Sequence, residues 1–275
     1  AQGGAAGVIT ARHAQQLNEV VDGIRAKGGK AVGVVADVCS TEDTKKVFGT
    51  ALKEFGDVDI LINNAGIGEQ KMIDETDDDW MLYVMNTNLG GPMRYIREAL
   101  KIFLPKNDGV IINISSVNGT RPFCGATYTS TKGALNTLTK NVAMRLIDTN
   151  IRCNAVAPGA TVTPAHLANK AGEQPGGAKM LEYSGHFVYF PGPECDPMDQ
   201  AYACLFLASK MGKAAKGQVL QVCNGAFLQE LSHSMTENDT EVGTAPAGQE
   251  SARHTDNEET EVDRKTTEEG GGHAL

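Results

Sequence analysis

Up to residue 228 the chain alternates short runs of β-branched and apolar residues with longer stretches in which apolar positions recur every three or four residues. The runs predict strands, the stretches predict amphipathic helices, and their alternation predicts a parallel sheet covered by helices. Residues 7–10 read as the first strand, followed by a helix over 14–27 with Leu17, Val20, Val21 and Ile24 on one face. Gly28-Gly29 is a helix stop before a strand over 31–36. A helix over 41–55 follows, capped by Ser40 or Thr41 with Glu42 and Asp43 in its first turn, and then a strand over 60–63. A long helix is predicted from about 78 to 103, bent where Gly90-Gly91-Pro92 interrupts it. The nearly all-apolar run 110–114 suits a strand buried on both faces. After it come a helix over 128–148 and strands over 152–157 and 219–222, with a helix over 198–209 before the last. Residues 163–197 look irregular, with five prolines and an aromatic cluster of Tyr183, Phe187, Tyr189 and Phe190. No internal repeat is present.

Composition changes this picture mainly at the C-terminal end. Of the formal charge of -9 over 275 residues, residues 231–275 carry -8, from 11 Asp/Glu against 3 Lys/Arg, and they hold no Phe, Tyr or Trp. Such a stretch buries too little apolar surface to offset the entropy of ordering it. The expected organisation is therefore one globular unit over 1–229 and an acidic, disordered extension over 230–275. No apolar run approaches the roughly 18–20 residues of a membrane helix, and neither a membrane nor a nucleic-acid partner is expected. The six cysteines form no C-x-x-C pair and no ligand-like spacing with the histidines, so no metal site is expected. Unpaired thiols point to a reducing, cytoplasmic location. Asn113-Ile-Ser115 and Asn118-Gly-Thr120 match a glycosylation pattern. They fall in a strand and the turn after it, and are read as coincidence.

Several short motifs are individually bland. Tyr128-Thr-Ser-Thr-Lys132 puts a phenol and an ammonium one helical turn apart on the same face, which by itself is usually an exposed pair. Ser115-Ser116 after a buried strand could be a plain turn, and Asn63-Asn64-Ala65-Gly66 could be a strand-end turn. Taken in order, with Asp37, Asn88-Leu-Gly90 and Asn154-Ala-Val-Ala-Pro158-Gly159, each falls at the C-terminal end of a strand or on the helix after it. That edge is where open parallel sheets bind ligands.

On these motifs the chain resembles the short-chain dehydrogenase/reductase family over residues 7–228. The resemblance implies an α/β fold, a Rossmann-like doubly wound parallel sheet in three α/β/α layers, with 163–197 as a substrate lid. It implies a ketone and a secondary alcohol interconverted by hydride transfer, with Tyr128 as acid/base, Lys132 assisting it and Asn88 completing a proton relay. The family serine falls on Ser116, the second of the pair before Val117-x-Gly119, or on Ser115, which stands at the family's usual spacing of thirteen from the tyrosine. Asp37 and Val38 are expected at adenine, Asn64, Ala65 and Gly66 along the cofactor, and Pro158, Gly159, Thr161 and Thr163 on the nicotinamide side. A free tyrosine has a pKa near 10, and a neighbouring ammonium is expected to lower it. Ser116 could donate to the substrate oxygen as charge develops there. An acid ending the second strand would select NAD. Thr10-Ala11-Arg12 has none, and Arg12 could pair with a 2′-phosphate, which favours NADP over NAD unless Arg12 is a solvated helix-start residue. The lid aromatics suggest a largely apolar substrate, or simply pack the lid. A homodimer or homotetramer through the long helices is expected by the same resemblance.

One expectation runs against activity. Gly3-Gly4-Ala5-Ala6-Gly7 has glycines but is followed by a strand instead of a helix, so it is no phosphate-binding turn. Relative to the family, the chain begins at the second strand, and the sheet is expected to be N-terminally truncated, with unpaired edges in its middle. The alternative to an oxidoreductase is a non-catalytic relic or interaction protein without a dinucleotide loop.

Overall fold

A computed structural model describes residues 4–171, 173, 175–184 and 194–226. The acidic stretch and the lid residues Phe187, Tyr189 and Phe190 lie outside the described residues. All described strands are parallel, and they form two sheets. β1 (Gly7–Ala11) pairs with β2 (Ala31–Val35), Gly7 opposite Ala31. β3 (Ile60–Asn63), β4 (Val110–Ile114), β5 (Arg152–Pro158) and β6 (Val219–Val222) pair in that order. Among the described residues, no strand joins β1 to β3.

Outside residues 163–197 the helices form where caps and apolar spacing predict. α1 (Ala14–Ala26) and α2 (Thr41–Phe55) cover strand faces with Leu17 and Val21, and with Val47, Phe48 and Ala51. The Ser40 hydroxyl accepts from Asp43 N at 3.1 Å, and Gly56, at φ 82°, ends α2 in a left-handed turn that glycine adopts without strain. α3 (Asp78–Met85) and α4 (Gly91–Lys106) are joined by a wide π turn, Asn86–Gly90. The interruption expected near Gly90-Gly91-Pro92 is this π turn, which ends at Gly90; Pro92 sits in the first turn of α4, where its missing N–H is harmless. The wider turn accompanies Asn88, whose side chain is bonded to a distant loop. α5 (Ala126–Arg145) begins one residue pair before Tyr128.

The segment 163–197, expected to be irregular, is partly helical among the described residues. It contains α6 (Pro164–Lys170) and α7 (Gly177–Ser184), and α8 (Pro197–Ala208) follows. Pro164 and Pro197 open their helices instead of breaking them, since φ near −65° suits a first turn.

One apolar cluster covers a face common to both sheets. Phe48, Tyr95, Ile96, Phe103 and Val142 from α2, α4 and α5 meet Val34, Leu61, Ile111 and Cys153 from the strands. Complete burial of side chains such as Phe103 and Ile111 contributes roughly 1.5–3 kcal/mol each. On the opposite face α1 packs on β1 and β2, while Ala203 and Leu207 of α8 pack on Val110, Ile112 and Val156. Between them, on that face, β3 leaves Ile60 and Ile62 at 41% and 47% exposure. The three-layer arrangement thus has a gap beside β3, and the gap opens into the site described next.

Candidate active site

A cavity of about 1080 Å³ runs along the C-terminal ends of β3, β4 and β5. Its polar wall carries Asn64, Ser116, Tyr128 and Lys132; its apolar wall carries Ile60, Ile62, Ile114, Leu205 and Ala208. The strand ends are held in place by side chains. Asn63 Nδ2 donates to Asn113 Oδ1 at 2.8 Å, and Asn113 Nδ2 donates to Thr139 Oγ1 at 2.9 Å, which links β3, β4 and α5 through a buried polar chain. Asn113 is fully buried, in keeping with the reading of its glycosylation pattern as coincidence.

Four side chains converge there. The Ser116 hydroxyl lies within hydrogen-bond reach of the Tyr128 phenol and also accepts from Asn118 N at 3.1 Å. Ser115 instead donates to the Lys132 carbonyl at 3.1 Å, which engages its hydroxyl away from the phenol. Of the two serines, Ser116 therefore faces Tyr128. Lys132 Nζ stands 5.6 Å from the Tyr128 ring centre and donates to the Ile114 carbonyl at 2.8 Å. Asn88 Oδ1 accepts from Ile67 N at 2.8 Å, and its amide donates to Ile67 O and Thr131 Oγ1, at 2.9 and 3.2 Å.

The electrostatics differ from the sequence expectation. Burial pushes the Tyr128 phenol up to about 12, and the Ser116 hydrogen bond only partly offsets it. Burial also brings the Lys132 ammonium down to about 8. The expected lowering of the phenol by the ammonium is not what the folded chain shows: desolvation disfavours the charged form of each, and at the phenol the Ser116 bond is what opposes it. Cys124, which lines the same cavity, is pushed up to about 11 by burial and is no nucleophile.

A family model described as short chain dehydrogenase matches residues 1–174. The chain belongs to the short-chain dehydrogenase family. Among its relatives are 3beta-hydroxysteroid dehydrogenase 2 of Eggerthella lenta, 35% identical over 205 residues, 72% of this chain and 76% of that protein. Another is the 3-oxoacyl-[acyl-carrier-protein] reductase FabG of Staphylococcus aureus, 31% identical over 78% of this chain and 84% of its own. A solved 7 alpha-hydroxysteroid dehydrogenase, complexed with NADH and 7-oxo glycochenodeoxycholic acid, superimposes with a TM-score of 0.72 at 29% identity, covering 82% of this chain and 86% of that one. This short-chain dehydrogenase is accordingly an oxidoreductase of the nicotinamide-dependent type.

The dehydrogenase brings only some of the expected cofactor residues to the cavity. Asn64, Gly66, Pro158, Gly159, Thr161 and Thr163 line it, and Ala65 lies between two of them. Gly66 keeps the floor open: a Cβ there would stand 3.4 Å from Asn88 Oδ1 and 3.5 Å from Lys132 Nζ. Such a cradle fits the ribose of a nicotinamide nucleotide. Arg12, Asp37 and Val38 end β1 and β2 and do not line the cavity. Arg12 donates to the Tyr83 hydroxyl at 2.5 Å, a bond that, with the charge of Asp37, raises its pKa. Asp37 accepts from Cys39 N at 2.8 Å, and Val38 fills the space that Gly91 leaves open.

Sequence reading missed the lid's charged group. On α6, His166 Nε2 and Lys170 Nζ both reach Glu194 Oε1 at 2.8 Å, at the rim of the cavity, and these two bonds hold the carboxyl below the usual range. His166 and Lys170 stand four apart on one helix, a spacing readable in retrospect; Glu194 is too distant in sequence to have been paired with them. Among the described residues, no cluster of His, Cys, Asp and Glu is arranged to hold a metal ion. No helix among them is long and apolar enough to cross a membrane.

Proposed function

We propose that this dehydrogenase interconverts a secondary alcohol and a ketone on a bulky, largely apolar molecule, with Tyr128 as acid/base. The observation carrying this reading is the meeting of Ser116, Tyr128 and Lys132 on the polar side of a cavity whose other side is apolar. Ser116 donates to the substrate oxygen, Tyr128 gives or takes its proton, and the proton is exchanged with solvent by way of Lys132 and water held near Asn88. A bound nicotinamide nucleotide supplies or accepts the hydride. Asn64, Ala65, Gly66 and the strip from Pro158 to Thr163 would hold its nicotinamide half, and Lys132 its ribose. Arg12, Asp37 and Val38 would meet the adenosine half, with Arg12 favouring NADP over NAD. The steroid names among the relatives support a polycyclic substrate, and the apolar wall supports the same class. Residues 1–229 form the catalytic unit in this reading, and 230–275 a solubilising acidic extension in a cytoplasmic protein. A homodimer or homotetramer would cover the exposed Leu82, Met85, Met93 and Met144 of α3, α4 and α5; a clean monomer by light scattering would refute it.

The test is a screen of hydroxysteroids, oxosteroids and 3-oxoacyl thioesters against NADP(H) and NAD(H), followed at 340 nm. Turnover of a steroid pair supports the proposal; turnover only of acyl thioesters overturns its substrate half. A second reading, an interaction protein that has lost its cofactor site, is favoured by the break between β1 and β3 and by the exposure of Ile60 and Ile62. Titration of NADPH into the folded protein separates the two. No fluorescence change at millimolar cofactor would sink the enzyme.

A further inference from the structure

We propose that Glu69 is a positioning residue for Tyr128, and that Gly125 exists to make room for its carboxylate. The proposal rests on the reading of Tyr128 as acid/base. α5 carries Tyr128 in its first turn but has no cap of its own: Gly125 has no side chain to offer, and the first turn holds no acid. The orphan N–H groups are satisfied from residues 69–71 instead. Glu69 Oε1 accepts from Tyr128 N at 2.9 Å, Glu69 O from Gly125 N at 3.0 Å, and Lys71 O from Ala126 N at 3.0 Å. Glu69 is 1% exposed, and its other oxygen accepts from Lys71 N at 2.6 Å, so the carboxylate is held at both ends. A carboxylate at a helix N-terminus is favourable in charge as well as in hydrogen bonding.

The second observation is spatial. A Cβ on Gly125 would stand 2.2 to 2.4 Å from three atoms of the Glu69 carboxyl group, an impossible approach. Yet Gly125 sits at φ −54°, ψ 153°, where alanine is comfortable. The glycine is required for space, not for backbone freedom, and the space belongs to Glu69. Gln70 N donates to Pro175 O at 2.8 Å, so the same segment also supports the lid.

The test is a double-mutant cycle on the full chain, with Glu69→Ala, Gly125→Ala and both together, read by turnover and by amide exchange at Tyr128. Each single variant should lower kcat by roughly tenfold to a hundredfold, as a small misplacement of a reacting group does, while KM for the cofactor holds. Tyr128 N–H exchange should accelerate at least about tenfold in each, since its acceptor is lost or displaced. In the Glu69→Ala background, Gly125→Ala should cost nothing further. Glu69→Gln, which keeps one acceptor for Tyr128 N, should restore most of kcat. An undiminished cost of Gly125→Ala in that background, or an unchanged kcat in folded Glu69→Ala, would overturn the proposal. If the unaltered chain turns over nothing, the functional reading fails, and the amide-exchange cycle still decides whether Glu69 and Gly125 act on Tyr128 as one unit.

Discussion

Lys132 is 5% exposed and has no carboxylate partner among the described residues, and burial brings its ammonium from 10.5 to about 8. Replacing it by methionine removes the charge while keeping a chain of similar length. The difference of about 2.5 pK units corresponds to roughly 3 kcal/mol at neutral pH. The sign follows from proton counting. Between pH 8 and 10.5 the unfolded lysine is protonated and the folded one is not, so the unfolded state binds more protons and wild-type stability rises with pH. Lys132→Met lacks that rise. The gap, taken as variant stability minus wild-type stability, should therefore fall by about 1.4 kcal/mol per pH unit across that window, and by roughly 3 kcal/mol in all. Loss of the hydrogen bond to Ile114 O shifts the whole curve but not its slope, because that bond's removal is the same substitution at every pH. Urea unfolding of both proteins at half-unit steps from pH 7 to 10.5 measures the slope. A gap that stays constant, or rises with pH, would show that Lys132 is not held against its charge and would refute the reasoning.

Four further predictions follow from the same geometry. Tyr128→Phe should lower kcat by about 10²–10⁴ while changing unfolding free energy by no more than about 1 kcal/mol, because only the Ser116 bond is lost; a retained rate would exclude the phenol as acid/base. Since that phenol is pushed up to about 12, alcohol oxidation in the wild type should accelerate with rising pH, and a pH-independent rate would contradict a phenolate base. Arg152→Leu should destabilise the protein by about 3 kcal/mol, or roughly 6–12 °C in Tm, because its buried guanidinium donates to Leu207 O at 2.6 Å and Gly212 O at 2.8 Å, at the end of α8; calorimetry showing no shift would refute it. Burial pushes Cys124 and Cys153 up to about 11 and 12, so at pH 8 both should react with a disulfide reagent far more slowly in the folded chain than in urea. Labelling of native Cys153 at the unfolded rate would contradict its burial.

What could be read from the sequence was whatever is decided locally or by order. The strands, the capped start of α2 and the succession of motifs at the strand ends follow from spacing and residue type alone, and the fold follows from their alternation. The place of the interruption near Gly90 was readable, but its form, the π turn at Asn86–Gly90, was hidden because its companion, the pairing of Asn88 with Ile67, joins residues 21 positions apart. α6 was concealed for a related reason: a proline opening a helix is indistinguishable, residue by residue, from one in a loop.

The centre of the site shows the same divide. The presence of Tyr128 and Lys132 was legible, but the direction of the phenol's shift was not, because it depends on a competition between the Ser116 hydrogen bond and desolvation. That competition is decided by how much water the surrounding elements exclude, which no spacing of residues records. Ser116 is preferred over Ser115 because Lys132 O occupies the hydroxyl of Ser115, again a contact between distant parts of the chain. Glu69 is the extreme case: an acid between Gly68 and Gln70 reads as a surface residue, and only the folded chain puts it beneath α5. In the proposed reading the chemistry is therefore carried by residues that sequence order reveals, and it is aimed by residues, Glu69 and Gly125 among them, that only packing reveals.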